Sequence, residues 1–210
     1  MRSVLLRSAA AAAIGSLLLA AAASANTITV TSTADPVGTA GTCTLRNAIV
    51  AANTNTPVVN CAAGNSTTSN PDTIDFSLPG SPPHTIQLDS ALPALDDVLT
   101  IDGPGAGSLT VRGELGTENY RVFDIEEAGS SPFPDVTLEG MTITNGAGGI
   151  LVGAATSFAL DGVIVSGNSV ASTDAAQSSA AGAGIASFAG TTMNISNSTV
   201  SGNSATATRS

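Results

Sequence analysis

The chain has 210 residues, with six arginines and no lysine against sixteen carboxylates, a formal net charge of −10, and few aromatic residues. Nucleic acid and anionic membrane surfaces require clustered Lys and Arg, so this balance excludes both as partners. Plentiful Gly, Ser, Thr, Asn, Ala and Val without heptads favour short strands and tight turns over helices.

Arg2 and Arg7 open a leader whose apolar run extends from Ala9 to Ala23, and Ala23-Ser24-Ala25 fits the small-x-small site of a secretory signal peptide. A retained anchor is the alternative. Its only large residues would be Ile14, Leu17, Leu18 and Leu19, a weak hold on a hydrocarbon layer about 30 Å thick. The expectation is that residues 1–25 are removed and the mature chain starts at Asn26, with a net charge of −12 once Arg2 and Arg7 are gone. No further run of spanning length is present, so no membrane span is expected after removal. The expected destination is secreted or the cell envelope. An acidic surface can attract calcium, but it also serves solubility.

Asn26 to Thr33 is a strand signal with Ile28 and Val30 on one face. Downstream, Leu45, Ala48, Ile49 and Ala52 fall at i, i+3, i+4 and i+7, the stripe of a short amphipathic helix. Thr44 is placed to cap its start, and Asn53 to end it in a left-handed conformation. Cys43 and Cys61 are the only cysteines. In an oxidising compartment an even pair reads as a disulfide. Free thiols or half a metal site are the alternatives, but there is no CxxC and His84 is the only histidine. Residues 26–72 are therefore expected to form an N-terminal cap of strand, short helix and disulfide, covering one end of a strand-rich body.

The residues ITVTSTADP, CTLRNAIVAAN and DTIDF together resemble the N-terminal region of CSLREX-type proteins, whose motif runs Cys-Ser/Thr-Leu-Arg-Glu-Ala-Ile with a following Ala-Asn. Cys43, Leu45, Arg46, Ala48, Ile49, Ala52 and Asn53 fall in place, while Asn47 stands where that family has Glu, weakening a capping-box hydrogen bond. The resemblance implies an exported, envelope-associated or extracellular protein whose cap precedes parallel β-helix repeats. It implies no catalytic residue. Arg46 is expected to form a structural ion pair with a carboxylate such as Asp35 or Asp75 in preference to contacting a ligand.

From Thr73 onward, Thr73–Phe76, Thr85–Leu88, Val98–Asp102, Leu109–Arg112 and Arg121–Ile125 alternate or carry β-branched residues between Pro and Gly clusters. Three later segments align without gaps: Val136 to Gly146, Phe158 to Asn168 and Met193 to Asn203, offset by 22 and then 35 residues. Their first, third and eighth positions are apolar, and their fifth is Gly140, Gly162 or Asn197, residues that tolerate a left-handed bend. Gly149-Ile150 recurs as Gly184-Ile185, and Val170 to Ala181 has the composition of an excursion loop. The expected fold is all-β, a right-handed parallel β-helix over residues 73–210, with Leu160 stacked near Ile195 and Ile150 near Ile185. A β-sandwich explains alternation but not a gapless repeat with shared corners. The C-terminal end reads as incomplete or uncapped, with Met193, Ile195 and Val200 open to an end-to-end contact with another such chain.

Folds of this kind host polysaccharide lyases and hydrolases, so the carboxylates are candidates for a site. Asp96-Asp97 and Glu126-Glu127 are the only adjacent like pairs, and strand neighbours point to opposite faces. A lyase base would have to be Arg112 or Arg121, and His84 has no nearby nucleophile to serve. Tyr120 is the only Tyr, Trp is absent, and Phe158 falls at an inward position, leaving little for a sugar platform. The reading is a non-enzymatic surface scaffold or spacer without cofactor or metal, its partner unknown. A polysaccharide-binding or polysaccharide-degrading protein is the alternative.

Overall fold

A computed structural model describes residues 26–35, 41–65, 67, 70–115, 120–125, 134–153, 157–172, 182–188 and 190–207. The expected leader and Glu126-Glu127 lie outside these residues. Among those described, the chain forms one helix, α1 (Leu45–Thr54), and sixteen short strands. The strands are β1 (Thr27–Val30), β2 (Asp72–Phe76), β3 (His84–Gln87), β4 (Leu99–Asp102), β5 (Leu109–Arg112) and β6 (Phe123–Ile125). Then come β7 (Asp135–Glu139), β8 (Thr142–Thr144), β9 (Ile150–Val152), β10 (Ser157–Asp161), β11 (Ile164–Ser166) and β12 (Ser169–Ser172). The last are β13 (Ile185–Ser187), β14 (Thr192–Ser196), β15 (Thr199–Ser201) and β16 (Ser204–Ala207).

The named strands pair in parallel and sort into four sheets: β1-β2-β4-β7-β10-β14, β3-β5-β8-β11-β15, β6-β9-β13 and β12-β16. Strands adjacent in sequence thus usually lie in different sheets, and the chain returns to the first sheet at each pass. Because parallel neighbours stand roughly 4.8 Å apart, identical positions stack into rows. One row runs Ile28, Ile74, Ile101, Leu138, Leu160 and Ile195. A second runs Ile86, Val111, Ile143, Val165 and Val200, and a third Phe123, Ile150 and Ile185. All are buried except the last member of each. Burying each such side chain contributes about 1.5–3 kcal/mol, so these rows are where the fold is held.

The expected register is borne out: Leu160 pairs with Ile195 and Ile150 with Ile185. The fifth repeat position bends as the residues require, with φ of 55° at Gly140, 62° at Gly162 and 49° at Asn197. A second left-handed corner sits at the tenth position, in Asn145, Gly167 and Gly202, which permits a further turn after each short strand. The eleventh position carries a polar row. Asn168 Oδ1 accepts from Gly146 N at 3.0 Å, and Asn203 Oδ1 accepts from both Asn168 N and its Nδ2 at 3.0 Å. Asn168 Nδ2 and Asn203 Nδ2 donate in turn to the carbonyls of Ile143 and Val165. The asparagines therefore tie successive passes together inside an otherwise apolar layer.

Two expectations need correction. Val170 to Ala181 does not begin as a loop: Val170 to Ser172 belong to β12, paired with β16 through Ser169–Ser204 and Val170–Ala205. Small residues form this strand because β16 offers a matching edge. The helix does not end at Asn53 but runs to Thr54, with Asn55 in the left-handed conformation at φ 51° and its N–H on the Ala52 carbonyl.

Candidate functional site

A set of engaged polar side chains lies at the N-terminal end, around α1. Thr44 caps the helix as expected, its Oγ1 accepting from Asn47 N at 3.2 Å. The stripe Leu45, Ala48, Ile49 and Ala52 is fully buried and packs in the same core as Ile28, Val30 and Ile74. Cys43 and Cys61 are joined in a disulfide, which closes the loop that holds the helix. Cys43 also binds the end of the β1 segment, its N–H donating to Thr31 Oγ1 and its carbonyl accepting from Thr31 N.

Arg46 and Asn53, seven residues apart on α1, face the segment between β3 and β4. Arg46 is 6% exposed and Asp35 3%, and their side chains meet in a forked pair: Nη2 to Oδ2 at 2.7 Å and Nε to Oδ1 at 3.0 Å. The guanidinium also donates to the carbonyls of Ser90 and Ala91. Asp35 Oδ2 accepts in addition from Asp89 N at 2.8 Å. Asn53 Nδ2 donates to the Ala94 carbonyl at 2.7 Å, and Asn55 Nδ2 to Asp97 Oδ2 at 3.1 Å. Of the two carboxylates proposed for Arg46, the structure chooses Asp35. Four of the five guanidinium N–H donors are thus engaged inside the fold.

Asp72 is a fully buried carboxylate whose position sequence reasoning did not single out. Its Oδ1 accepts from the backbone N–H groups of Asn26 and Asn65 at 3.0 Å, and Oδ2 from Asn65 at 2.8 Å. Backbone N–H groups thus satisfy both oxygens of this buried side chain. Asn47 is the contrast. It is fully buried, yet both side-chain amide atoms lack a hydrogen-bond partner among the described residues. Its amide does not replace the reach-back bond of a capping-box Glu.

The other candidate residues are dispersed. Asp97 Oδ1 accepts from Val98 N at 2.7 Å, while burial raises the pKa of Asp96, its own backbone N–H opposes that, and Asp97 beside it adds to it. Arg112 ends β5 on an exposed position. Arg121 donates to the carbonyls of Gly182 at 2.8 Å and Ile150 at 3.4 Å, and burial lowers its pKa against a smaller opposing pull from Asp124. A Cβ on Gly148 would come within 2.6 Å of Arg121 Nη1, so only glycine lets the arginine lie there. His84 opens β3 beside Phe76, Leu78, Pro82, Pro104 and Ser108, around a shallow apolar concavity of about 220 Å³. Tyr120 is buried, its hydroxyl donating to the Leu88 carbonyl at 3.0 Å, and Phe158 is 1% exposed in the interior. Among the described residues no three His, Cys, Asp or Glu side chains come together as a metal site, and no helix is long and apolar enough to cross a membrane.

No family model matches the chain, and neither the curated proteins nor the solved structures contain a significant match to it.

Proposed function

We propose that the chain is an exported, non-enzymatic scaffold of the CSLREX type, a right-handed parallel β-helix capped at its N-terminal end and acting in the cell envelope or outside the cell. The observation that carries this reading is where the buried polar groups spend their bonds. Arg46, Asp35, Asp72 and Asn168 all close hydrogen bonds within the fold, joining one pass of the chain to another. Residues used in this way build a rigid rod and leave the outward faces and loops for display. The return to the first sheet at each pass, with apolar rows inside and left-handed corners between strands, supports the coil. The Cys43–Cys61 disulfide suits an oxidising compartment.

Two measurements test the proposal. Mass spectrometry of protein collected outside the cytoplasm should show a chain beginning at Asn26, with the Cys43 and Cys61 peptides linked without reductant. Retention of Arg2 and Arg7 would defeat the soluble secreted reading in favour of a retained membrane anchor. A turnover screen over pectic, alginate and other acidic polysaccharides, with and without calcium, should be blank. Activity that disappears in Arg112→Ala or Asp97→Ala would establish the enzyme instead.

A further inference from the structure

Asp72 is a fully buried carboxylate held by neutral donors, and one of those donors occupies a special place in the sequence. Among the described residues its side chain accepts from backbone N–H groups alone, those of Asn26 and Asn65. The described arginines are placed elsewhere: Arg46 on Asp35, Arg121 on the Gly182 and Ile150 carbonyls, and Arg112 on an exposed position of β5. A carboxylate taken out of water is costly unless a cation or several good donors meet it. Asn26 directly follows Ala23-Ser24-Ala25, the small-x-small site. It is also fixed at three atoms. Its N donates to Asp72 Oδ1 at 3.0 Å, its Nδ2 to the Ala63 carbonyl at 3.0 Å, and its carbonyl accepts from Thr73 N at 2.9 Å. The surroundings are tight: a Cβ on Gly64 would lie 2.4 Å from Asp72 Oδ2 and 2.9 Å from Ala52 Cα.

We propose that removal of residues 1–25 converts this contact into an ion pair between the α-ammonium of Asn26 and the carboxylate of Asp72, so that processing itself fastens the cap. The inference rests on the proposed cleavage after Ala25. Hydrolysis by a leader-removing protease adds one water across the Ala25–Asn26 bond. Ala25 departs with the new carboxylate, and the freed Asn26 nitrogen takes up a proton, as an α-amine does at neutral pH. That nitrogen already lies within hydrogen-bond distance of Oδ1, so no rearrangement is required. A neutral amide bond becomes a charge-assisted one, roughly twice as strong. The gain reaches beyond residue 26. Asn26 leads into β1 and Asp72 opens β2, its neighbour in the sheet, while Gly64, next to Asn65, donates to the Ala51 carbonyl of α1. One new charge thus tightens a junction of two strands and the helix, and the precursor has only the weaker amide there.

The chain contains no lysine, so after cleavage the Asn26 α-amine is its only primary amine, and an amine-reactive reagent reads this group alone. The N-terminal residue of protein collected outside the cytoplasm is determined first. At neutral pH, a native chain that starts at Asn26 should label about tenfold more slowly than a short peptide with the same first residues, because pairing holds the proton on. Urea should abolish the difference. Acetylation of the amine in urea, with the disulfide intact, followed by refolding, should lower the folded-to-unfolded ratio by about tenfold. The same acetylation should cost the Asp72→Asn chain nothing further, since the partner is already gone. Should either altered chain fail to refold, the labelling rate of the unaltered one decides. Labelling at the peptide rate, or a melt indifferent to acetylation, overturns the ion pair and leaves export standing. A chain that starts at any other residue overturns the cleavage site and the ion pair together.

Discussion

The first and the last described members of one strand row stand in opposite surroundings. At the N-terminal end the apolar row begins at Ile28, which is fully buried under α1, and the helix is fastened by a disulfide, a forked ion pair and further hydrogen-bonded side-chain contacts. On β14 the same row holds Ile195, nearly half exposed, with no charged residue nearby in sequence. One position in one row can therefore be core or surface according to the pass it sits on. Repetition specifies shape and register, whereas burial is supplied by whatever lies on the next rung.

The largest effect is expected at the fastened end. Arg46→Ala leaves Asp35 buried without its cation and should lower unfolding free energy by about 3–5 kcal/mol in chemical denaturation. A loss under about 1 kcal/mol would mean that water replaces the guanidinium and that the clamp is decorative. The row itself offers the sharpest contrast. Leu160→Ala should cost about 2–5 kcal/mol, since a fully buried side chain leaves a cavity. Ile195→Ala should cost about 0.5 kcal/mol or less, as at other exposed sites. Equal costs would show that the last rung is covered.

A smaller change of opposite sign is expected at Asn47. Replacing its two unsatisfied buried amide atoms with the apolar end of Leu should stabilise the cap by about 1 kcal/mol. Destabilisation would reveal a bound water satisfying the amide. The smallest effect concerns charge on the outer face. Asp102, Glu139 and Asp161 stand in register on β4, β7 and β10, and the next rung is the uncharged Ser196. Burial first, then Asp102 and Asp161, raises the pKa of Glu139. The stability of the protonated form is fully present below the unfolded pKa and is lost as pH rises through the raised folded value. Glu139→Gln should therefore leave acid stability unchanged and add about 0.5 kcal/mol at neutral pH, the scale of a like-charge neighbour on adjacent strands. Equal gains at both pH values would point to packing instead.

These contrasts also show what is legible in the chain itself. The repeats are legible because no gap interrupts them: Val136, Phe158 and Met193 align by eye, and parallel pairing preserves that alignment in space. The helix stripe is legible for the same local reason. The helix end is not, because Asn53 and Asn55 are equally suited to a left-handed cap, and the choice depends on Ala94, whose carbonyl holds Asn53 from 41 residues away. Strand β12 is hidden because Val170 to Ser172 have the composition of either strand or loop, and only pairing with β16 decides. The tenth-position corner carries at Asn145, Gly167 and Gly202 the same Gly or Asn signal as the fifth, so it too is legible in the chain. The partner of Arg46 is legible only as a choice of two, for nothing local sets Asp35 above Asp75.

The fastening of α1 has a consequence in time. Arg46 binds the carbonyls of Ser90 and Ala91, Asn53 that of Ala94, and Asn55 the carboxylate of Asp97, all 41 to 45 residues further along. At synthesis rates of roughly 5–20 residues per second, these partners emerge some seconds after the helix does. During that interval Leu45, Ala48, Ile49 and Ala52 can lean on β1 and Arg46 can pair with Asp35, but the contacts from residue 90 onward are missing. A segment made early is thus among the last to be locked, and a nascent chain halted before residue 90 should leave its cap open to proteases.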